Sequence, residues 1–220
     1  EISAKKRQIR LRDRWERPVY LQLRVTVALI ALSFAVTLLS GFGMQLDPIG
    51  RWLTLTDASN AGDESWTVEK SLHRVRSGEI WRLVTPIFLH LGVWHLVFNM
   101  YWTAVLGGMI ERTQGSWRLL GLVLIMAVLS NLVHYLATGS AAFGGMSGVG
   151  FGMFGYVWIR SKYELDSPYF IPSYTAAFFL IWMIICSVGI VGGVANHAHS
   201  AGLVIGLLLG LPAIMRSRTR

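Results

Sequence analysis

Four long stretches of the chain carry no Asp, Glu, Lys or Arg, and they limit the folds that the chain can adopt. They cover Val25–Leu46, Leu83–Ile110, Leu119–Ile159 and Ser167–Met215, with 22, 28, 41 and 49 residues. A membrane-spanning helix needs about 20 mostly apolar residues, so the first two stretches hold one helix each and the last two hold two each. The chain is also 15% charged, where soluble domains average about 25%. We therefore predict an all-α polytopic membrane protein with six transmembrane helices.

The ends of these stretches, and glycine-containing breaks within them, locate the six predicted spans. The breaks are Gly139-Ser140 and Gly192-Gly193, because glycine interrupts regular structure. Spans 1 to 6 are predicted at about Leu23–Phe42, Gly92–Ile110, Ser116–Ala137, Ser147–Arg160, Pro172–Val188 and His199–Met215. Between spans 1 and 2, a short interfacial helix is predicted near Ile49 to Leu55.

Basic residues predict which ends of the spans face the cytoplasm. A basic segment, residues 1–22, precedes the membrane domain 23–215, and a basic tail, residues 216–220, follows it. Arg and Lys are enriched in cytoplasmic loops, so both termini are predicted to be cytoplasmic and the segment of about 43–80 to be an outer loop. Basic residues after spans 2 and 4 agree with this orientation: Arg112, Arg118, Arg160 and Lys162.

The net charge of +8 follows from this topology and from the anionic lipid at the inner membrane surface. The Lys and Arg residues flank the predicted spans and do not form a separate basic domain. We therefore expect membrane lipid, and no nucleic acid, as a partner of these charges.

Four polar residues interrupt the apolar spans at one predicted depth. His95, Ser147 and His199 lie near the outer ends of spans 2, 4 and 6, and Asn99 follows His95 by four residues on the same helix face. Such groups are costly inside a bilayer and are functional candidates by default. We expect them to form one site near the outer surface, where water is available.

Glycine spacing predicts that spans 4 and 6 pack closely beneath this site. Small residues recur every four positions on both spans: Gly148 and Gly152 on span 4, and Gly202, Gly206 and Gly210 on span 6. Such faces allow helix backbones to approach closely in lipid. If the two faces meet, Ser147 and His199 face each other at the outer end of the contact.

These residue types suit nucleophilic hydrolysis. A serine hydroxyl needs a neighbouring base, and His199 can provide it for Ser147. All twelve acidic residues lie outside the four charge-free stretches, which favours a Ser–His dyad, although an acid from the outer loop stays open. A tetrahedral intermediate also needs hydrogen-bond donors. The Ser147 amide at a helix N-terminus and the side chains of His95 and Asn99 are candidates.

The sequence resembles the rhomboid intramembrane serine proteases of the bacterial six-helix type. The matching motifs occur in family order between about Gly78 and Gly210: Trp81-Arg82, His90, His95-Leu-Val-Phe-Asn99, Gly107-Gly108, Glu111-Arg112, Gly145-Met-Ser147-Gly148 and Ala198-His199-Ser-Ala-Gly202. The resemblance implies a six-helix rhomboid-like bundle in a bacterial inner membrane, with Ser147 as nucleophile, His199 as general base, and His95 and Asn99 lining the oxyanion pocket. It also implies cleavage of transmembrane segments of other proteins near their outer ends, without a cofactor or metal.

The resemblance implies supporting roles for further residues. Phe151 stands where familiar bacterial members have a tyrosine stacked on the catalytic imidazole, so that the ring is kept and the hydroxyl is lost. His90 corresponds to a position that holds the first loop. Trp81-Arg82 can anchor that loop against lipid or backbone carbonyls. The supporting glycines are Gly145, Gly148, Gly202 and Gly206.

Several alternatives remain open at this point. A zinc site built from His90, His95 and His199 lacks an H-E-x-x-H helix and a nearby carboxylate. A proteolytically inactive rhomboid-like chaperone or trafficking factor would usually lack the serine or the histidine. A small transporter would show paired broken helices in two repeated halves, a pattern that we do not find.

Other polar and aromatic residues are interpreted as structural. Asn131 and His134, three residues apart on span 3, are predicted to form a hydrogen-bonded pair, and His197 is expected to point into the outer loop. The abundant Trp and Phe residues are assigned mostly to a lipid-facing belt and to the core.

Overall fold

Helices dominate the computed structural model, which describes residues 22–43, 48–56, 58–60, 66–68, 71–139, 143–190 and 195–219. The helices are α1 Arg24–Leu39, α2 Pro48–Leu53, α3 His73–Arg76, α4 Val93–Gln114, α5 Ser116–Thr138, α6 Ser147–Tyr163, α7 Ser173–Ser187 and α8 Asn196–Arg218. Short 3-10 turns cover Gly41–Gly43, Ile80–Leu83 and Thr85–Phe88, and α4 contains a π segment, Thr103–Gly107. Strands β1 Ala58–Asn60 and β2 Trp66–Val68 pair antiparallel, with Ala58 opposite Val68.

A long helix lies at each of the six predicted spans, with ends shifted by a few residues. The largest shift is in α4, which continues past the predicted Ile110 to Gln114, and other ends differ by up to three residues, as in α8, which begins at Asn196 and not at His199. Among the described residues, α4, α5 and α8 are long and apolar enough to cross a membrane, while α1 and α7 are shorter apolar helices. The count of six spans therefore stays a prediction.

Some predicted features lie outside the described residues. These are nearly all of the basic segment 1–22, Ser140 and the Gly192-Gly193 break. The predicted outer loop contains the β1–β2 ladder as well as α2 and α3, and the helical prediction did not include that ladder. A short helix, α2, is present where the interfacial helix is predicted, and its position in a membrane interface stays a prediction.

Helix α6 lies at the centre of the bundle and packs most extensively against α8 and then α5. Its apolar side chains are buried around nearly the whole circumference: Val149, Phe151, Met153, Phe154, Tyr156 and Val157. A helix that is apolar all round belongs in a protein interior or in a membrane. Here α4, α5, α7 and α8 pack around it.

Glycine allows the backbones of α6 and α8 to touch. A Cβ atom on Gly202 would overlap the carbonyl oxygen of Gly148, and one on Gly206 would overlap that of Gly152. The two glycine faces identified in the sequence therefore meet. Any larger residue at these points must push the helices apart.

Glu111 joins α1 to α4 at the end of the bundle away from Ser147. Its carboxylate accepts hydrogen bonds from the backbone N–H groups of Val25 and Thr26, both at 2.8 Å, and from the hydroxyls of Thr26 at 2.7 Å and Ser116 at 2.6 Å. The carboxylate is buried and caps the first turn of α1, where a negative charge also complements the helix dipole. The buried Glu111 carboxylate therefore has a structural role, since it accepts four hydrogen bonds that join α1, α4 and α5.

The first loop is anchored through Arg82, which is 3% exposed. Its Nη1 donates hydrogen bonds to the carbonyl oxygens of Arg51 at 2.6 Å and Thr54 at 2.8 Å. The neighbouring Trp81 donates from Nε1 to the carbonyl oxygen of Trp52 at 3.2 Å, and the two indoles stack with centroids 5.9 Å apart. The sequence left two anchors open for Trp81-Arg82, lipid or backbone carbonyls. The hydrogen bonds of both side chains to loop carbonyls support the second.

We expect Gly206→Val to lower the free energy of unfolding by at least about 2 kcal/mol, because the added side chain overpacks the α6–α8 contact. Gly121→Val on α5 is a matched control, since no atom lies within 4 Å of a Cβ placed there. Unfolding in detergent micelles, followed by circular dichroism, measures both changes. Equal destabilisation of the two variants would contradict the close contact.

Candidate active site

Ser147 and His199 lie within hydrogen-bond distance, with 2.7 Å between Ser147 Oγ and His199 Nε2. Ser147 is the first residue of α6, and His199 lies in the first turn of α8, directly above the glycine contact of these helices. When the hydroxyl donates to Nε2, the neutral imidazole carries its proton on Nδ1. Within the described part of the chain, Nδ1 has no hydrogen-bond partner, so no described carboxylate orients this ring.

Phe151 holds one face of the His199 imidazole. The two rings are stacked, with centroids 4.8 Å apart and an interplanar angle of 28°. Phe151 is itself buried and meets Phe179 of α7 edge to face at 5.4 Å. Phe151, which stands where familiar bacterial members have a tyrosine, therefore keeps the stacking contact with His199 and supplies no hydroxyl.

A cavity of about 780 Å³ brings the predicted site residues together, because His95, Asn99, Ser147, Phe151 and His199 all line it. The rest of its wall is largely aromatic. These side chains come from α4 and α7: Trp94, Phe98, Tyr101, Trp102, Phe179 and Trp182. The cavity thus has a small polar end at the dyad and an extensive apolar side.

Sequence reasoning missed this aromatic wall. Trp94, Phe98 and Trp102 were assigned to a lipid-facing belt and to the core, but they also line the cavity. Their spacing of four residues puts them on one helix face with Asn99 nearby, and this signal was present in the sequence. Phe98 also meets Trp182 across α4 and α7, with ring centroids 5.7 Å apart.

His95 and Asn99 lie on the first two turns of α4, at the polar end of the cavity. Asn99 Nδ2 donates a hydrogen bond to the carbonyl oxygen of His95 at 2.8 Å. An amide nitrogen carries two hydrogens, so one N–H of Asn99 is left for another acceptor. His95 Nδ1 accepts a long hydrogen bond, 3.4 Å, from the N–H of Leu91.

Gly145 allows His95 to approach the turn before Ser147. Its φ of +109° lies in the left-handed region, which glycine adopts readily. A Cβ atom at this position would come within 2.6 Å of His95 Cε1. Gly145 therefore sets both the backbone path into α6 and the position of the imidazole.

Three helix N-termini meet at the candidate site, since His95, Ser147 and His199 each lie in the first turn of a helix. The backbone N–H groups of a first helical turn have no intrahelical acceptor, and the helix dipole adds partial positive charge there. The electrostatics of this end of the cavity therefore favour negative charge.

His90 supports the turn before Ser147 and is fully buried. Burial, with a smaller contribution from nearby His95, lowers the pKa of His90 to about 3, so the ring is neutral at pH 7. Nε2 accepts the backbone N–H of Met146 at 3.3 Å, and Nδ1 lies 3.2 Å from the carbonyl oxygen of Phe88 and 3.3 Å from Thr37 Oγ1. His90 thus ties this turn to the first loop and to α1.

Two interpretations from the sequence find no support in the described residues. Asn131 and His134 do not form a hydrogen-bonded pair, because Asn131 Nδ2 donates to the carbonyl oxygen of Leu83 at 2.9 Å, while His134 Nδ1 has no partner. The side chain of Asn131 thus satisfies a carbonyl of the 3-10 turn Ile80–Leu83. For the zinc alternative, no group of three or more His, Cys, Asp or Glu within the described ranges is arranged to hold a metal ion.

Comparison with known proteins identifies the family. Residues 77–216, more than half of the chain, match the family model of the rhomboid domain. Similar curated proteins include a rhomboid protease GlpG homolog of Cronobacter sakazakii, 36% identical over 151 residues that cover 69% of this chain and 52% of that protein. Rhomboid protease GlpG of Salmonella paratyphi A is 36% identical over 143 residues, 64% of this chain and 51% of that protein. That of Pectobacterium atrosepticum is 37% identical over 132 residues, 60% and 48% respectively. The chain spans about half the length of these relatives.

Proposed function

This chain is an integral membrane protein of the rhomboid family, and from that premise we propose that it is an intramembrane serine endopeptidase. Its substrates are transmembrane segments of other membrane proteins, cleaved near their outer ends. The observation that carries the proposal is the 2.7 Å contact between Ser147 Oγ and His199 Nε2 inside a cavity with an apolar wall. An inactive chaperone or a transporter would have no need of this contact.

The reaction begins when Ser147 Oγ attacks the scissile carbonyl carbon and His199 Nε2 takes the hydroxyl proton. The carbonyl oxygen of the resulting tetrahedral intermediate carries the negative charge. As the C–N bond breaks, the imidazolium returns its proton to the leaving nitrogen, which departs as an amine. Ser147 is left acylated. A water molecule, deprotonated by His199, then attacks the ester, and the acid product leaves with Ser147 restored.

Among the described residues, Phe151 is the neighbour that can stabilise the imidazolium form of His199. No described carboxylate binds Nδ1, so the dyad operates without the third member of a triad. The Phe151 ring, 4.8 Å away, attracts a cation through its π face. This contact also fixes the plane of the imidazole, so that Nε2 stays directed at the Ser147 hydroxyl.

Charge on the oxyanion is stabilised by donors at the polar end of the cavity. The first is the Ser147 backbone N–H, which has no acceptor within α6. The second N–H of Asn99 and the His95 imidazole are further donors. Each donor is positioned before the reaction begins, and this preorganisation is usually the largest electrostatic contribution to catalysis.

The aromatic wall between α4 and α7 suits an apolar substrate segment that arrives from the bilayer. A transmembrane helix hides its carbonyl groups in internal hydrogen bonds, so it must unwind locally before Ser147 can attack. Substrates with helix-weakening residues near the scissile bond are therefore favoured. Membrane lipid contacts the rest of the bundle, and the activity needs no nucleic acid.

We assign the catalytic machinery to the membrane domain 23–215, located in a bacterial inner membrane. Both termini, including the basic segment 1–22 and the tail 216–220, face the cytoplasm, and the dyad faces outward. The distribution of Arg and Lys supports this orientation. Hydrolysis also requires water, which is available to Ser147 only near a membrane surface.

Ser147→Ala and His199→Ala should each abolish cleavage of a model transmembrane substrate in liposomes, because the two residues act as one unit. We expect each single loss, and the double loss, to reduce kcat by roughly 10⁴-fold or more. Ser187→Ala, at an exposed position near the end of α7, is the serine control and should cleave normally. Turnover by Ser147→Ala near the wild-type rate would refute the dyad, provided that its circular dichroism spectrum is unchanged.

His95→Ala and Asn99→Ala should each lower kcat by about 100- to 1,000-fold, since each removes one oxyanion donor. KM should change much less, because the interaction forms in the transition state. The exposed His73 supplies the control variant His73→Ala. Unchanged kcat for both His95→Ala and Asn99→Ala would assign these residues to structure alone.

Cysteine labelling tests the orientation in a Cys186→Ala background. A membrane-impermeant thiol reagent, added to intact cells with a permeable outer membrane, should label Ser77→Cys in the outer loop and leave Lys162→Cys after span 4 unlabelled. Both positions are exposed, so accessibility within the protein does not distinguish them. The opposite labelling pattern would reverse the topology.

A further inference from the structure

We propose that His134 and His197 together bind one divalent transition-metal ion, with Zn²⁺ as the representative ion, and that the bound ion reversibly inhibits the neighbouring dyad. Neither residue takes part in the mechanism described above. The two rings come from different helices, α5 and α8, and contact each other with centroids 6.0 Å apart. Binding does not depend on the proposed function, whereas the inhibition rests on it.

The first observation is an unsatisfied buried imidazole. His134 is 7% exposed, and its Nδ1 has no hydrogen-bond partner within the described part of the chain. Buried polar side-chain atoms are nearly always paired, and an exception needs an explanation. A coordinate bond to a metal ion satisfies a nitrogen lone pair as well as a hydrogen bond does. His197 is exposed, so an ion from solution can reach the pair through it.

The spacing of the two rings fits one shared ion. Zn–N bonds to histidine measure about 2.0 to 2.1 Å, and a ring centroid lies about 1.1 Å from its nitrogen, so two rings on one ion have centroids at most about 6.4 Å apart. The observed 6.0 Å lies inside this limit. A bent N–Zn–N angle, as in tetrahedral coordination, requires only a further approach of the exposed His197 ring.

The surroundings determine which ions fit. No third His, Cys, Asp or Glu of the described residues completes a site, and the adjoining segments 140–142 and 191–194 contain none of these residue types. Among the described residues only the two imidazoles are available, so water fills the other positions left by that part of the chain and the ion exchanges readily. With two imidazoles and no described carboxylate, the site suits Zn²⁺, Cu²⁺, Ni²⁺ or Co²⁺. Mg²⁺ and Ca²⁺, which prefer oxygen ligands, do not fit.

The pair of His134 and His197 is linked to the dyad in two ways, through a shared helical turn and through Phe143. His197 precedes His199 by two residues in the first turn of α8, so an ion held by His197 restrains the same helical turn that carries the dyad imidazole. Phe143 packs on the His134 ring with centroids 4.6 Å apart and also lines the cavity of Ser147. An ion that joins α5 to α8 therefore restrains both the first turn of α8 and one wall of the cavity.

Metal binding is tested on the purified full chain in detergent, by calorimetric titration with ZnCl₂ and by the visible absorption of bound Co²⁺. We expect one ion per chain. His134→Gln and His197→Gln should each weaken binding by at least about tenfold, since even loss of an outer-shell partner costs about 10- to 100-fold. His73→Gln, which changes an exposed histidine on α3, should bind as the wild type does.

Inhibition is measured by titrating ZnCl₂ into the cleavage assay. Zn²⁺ should inhibit the wild type and His73→Gln, EDTA should reverse the effect, and MgCl₂ should have none. His134→Gln and His197→Gln should resist the same Zn²⁺ concentrations. Wild-type sensitivity in both variants would overturn the proposal and would assign inhibition to another site, such as the dyad itself.

Binding to Ser147→Ala separates this inference from the proposed function. If no variant cleaves substrate while Ser147→Ala binds one ion that requires His134 and His197, the metal site stands and the protease assignment fails. If the wild type cleaves substrate and binds no Zn²⁺ or Co²⁺, the metal site is refuted and the protease assignment stands.

Discussion

The backbone contact between α6 and α8 is the constraint on which the rest of the structure depends. Lipid is as apolar as a leucine side chain, so helices in a bilayer associate mainly through close packing. Gly202 and Gly206 provide that packing, because a Cβ on either would overlap a carbonyl oxygen of α6. Ser147 and His199 lie at the outer end of this contact, so the same glycines that hold the bundle together also set the 2.7 Å distance between Oγ and Nε2.

A second theme is the way in which buried polar side chains satisfy irregular backbone. A buried backbone carbonyl without a hydrogen-bond donor is costly, and irregular segments cannot satisfy all of their carbonyls internally. Arg82 donates to the carbonyls of Arg51 and Thr54, and Asn131 donates to that of Leu83 in the 3-10 turn Ile80–Leu83. At the other end of the bundle Glu111 is an acceptor, because its carboxylate binds the N–H groups of Val25 and Thr26 in the first turn of α1. Long side chains thus take over the role that water has around soluble proteins.

The sequence predicted those features that depend on local pattern. Charge-free stretches located the six long helices, and i,i+4 glycines indicated the faces that meet, because both signals lie within single segments. Contacts between distant segments were harder to foresee. Nothing in the spacing of Asn131 and His134 reveals that Asn131 binds Leu83, 48 positions earlier. Likewise, the sequence indicates that Trp94, Phe98 and Trp102 share one helix face, but only the position of α7 beside α4 shows that this face lines a cavity.

The π segment Thr103–Gly107 changes the direction in which side chains point in the second half of α4 relative to the first half. A π turn inserts one extra residue into an α-helix, and one residue corresponds to a rotation of about 100°. His95 and Asn99 therefore face the cavity on one side of the insertion, while Glu111 faces α1 on the other side. With the same number of residues, an uninterrupted α-helix could aim only one of these sets correctly. The irregular turn absorbs this extra residue, so that one helix contacts two separate neighbours, and deletion of a single residue within Thr103–Gly107 should restore a regular α-helix with both halves still correctly oriented.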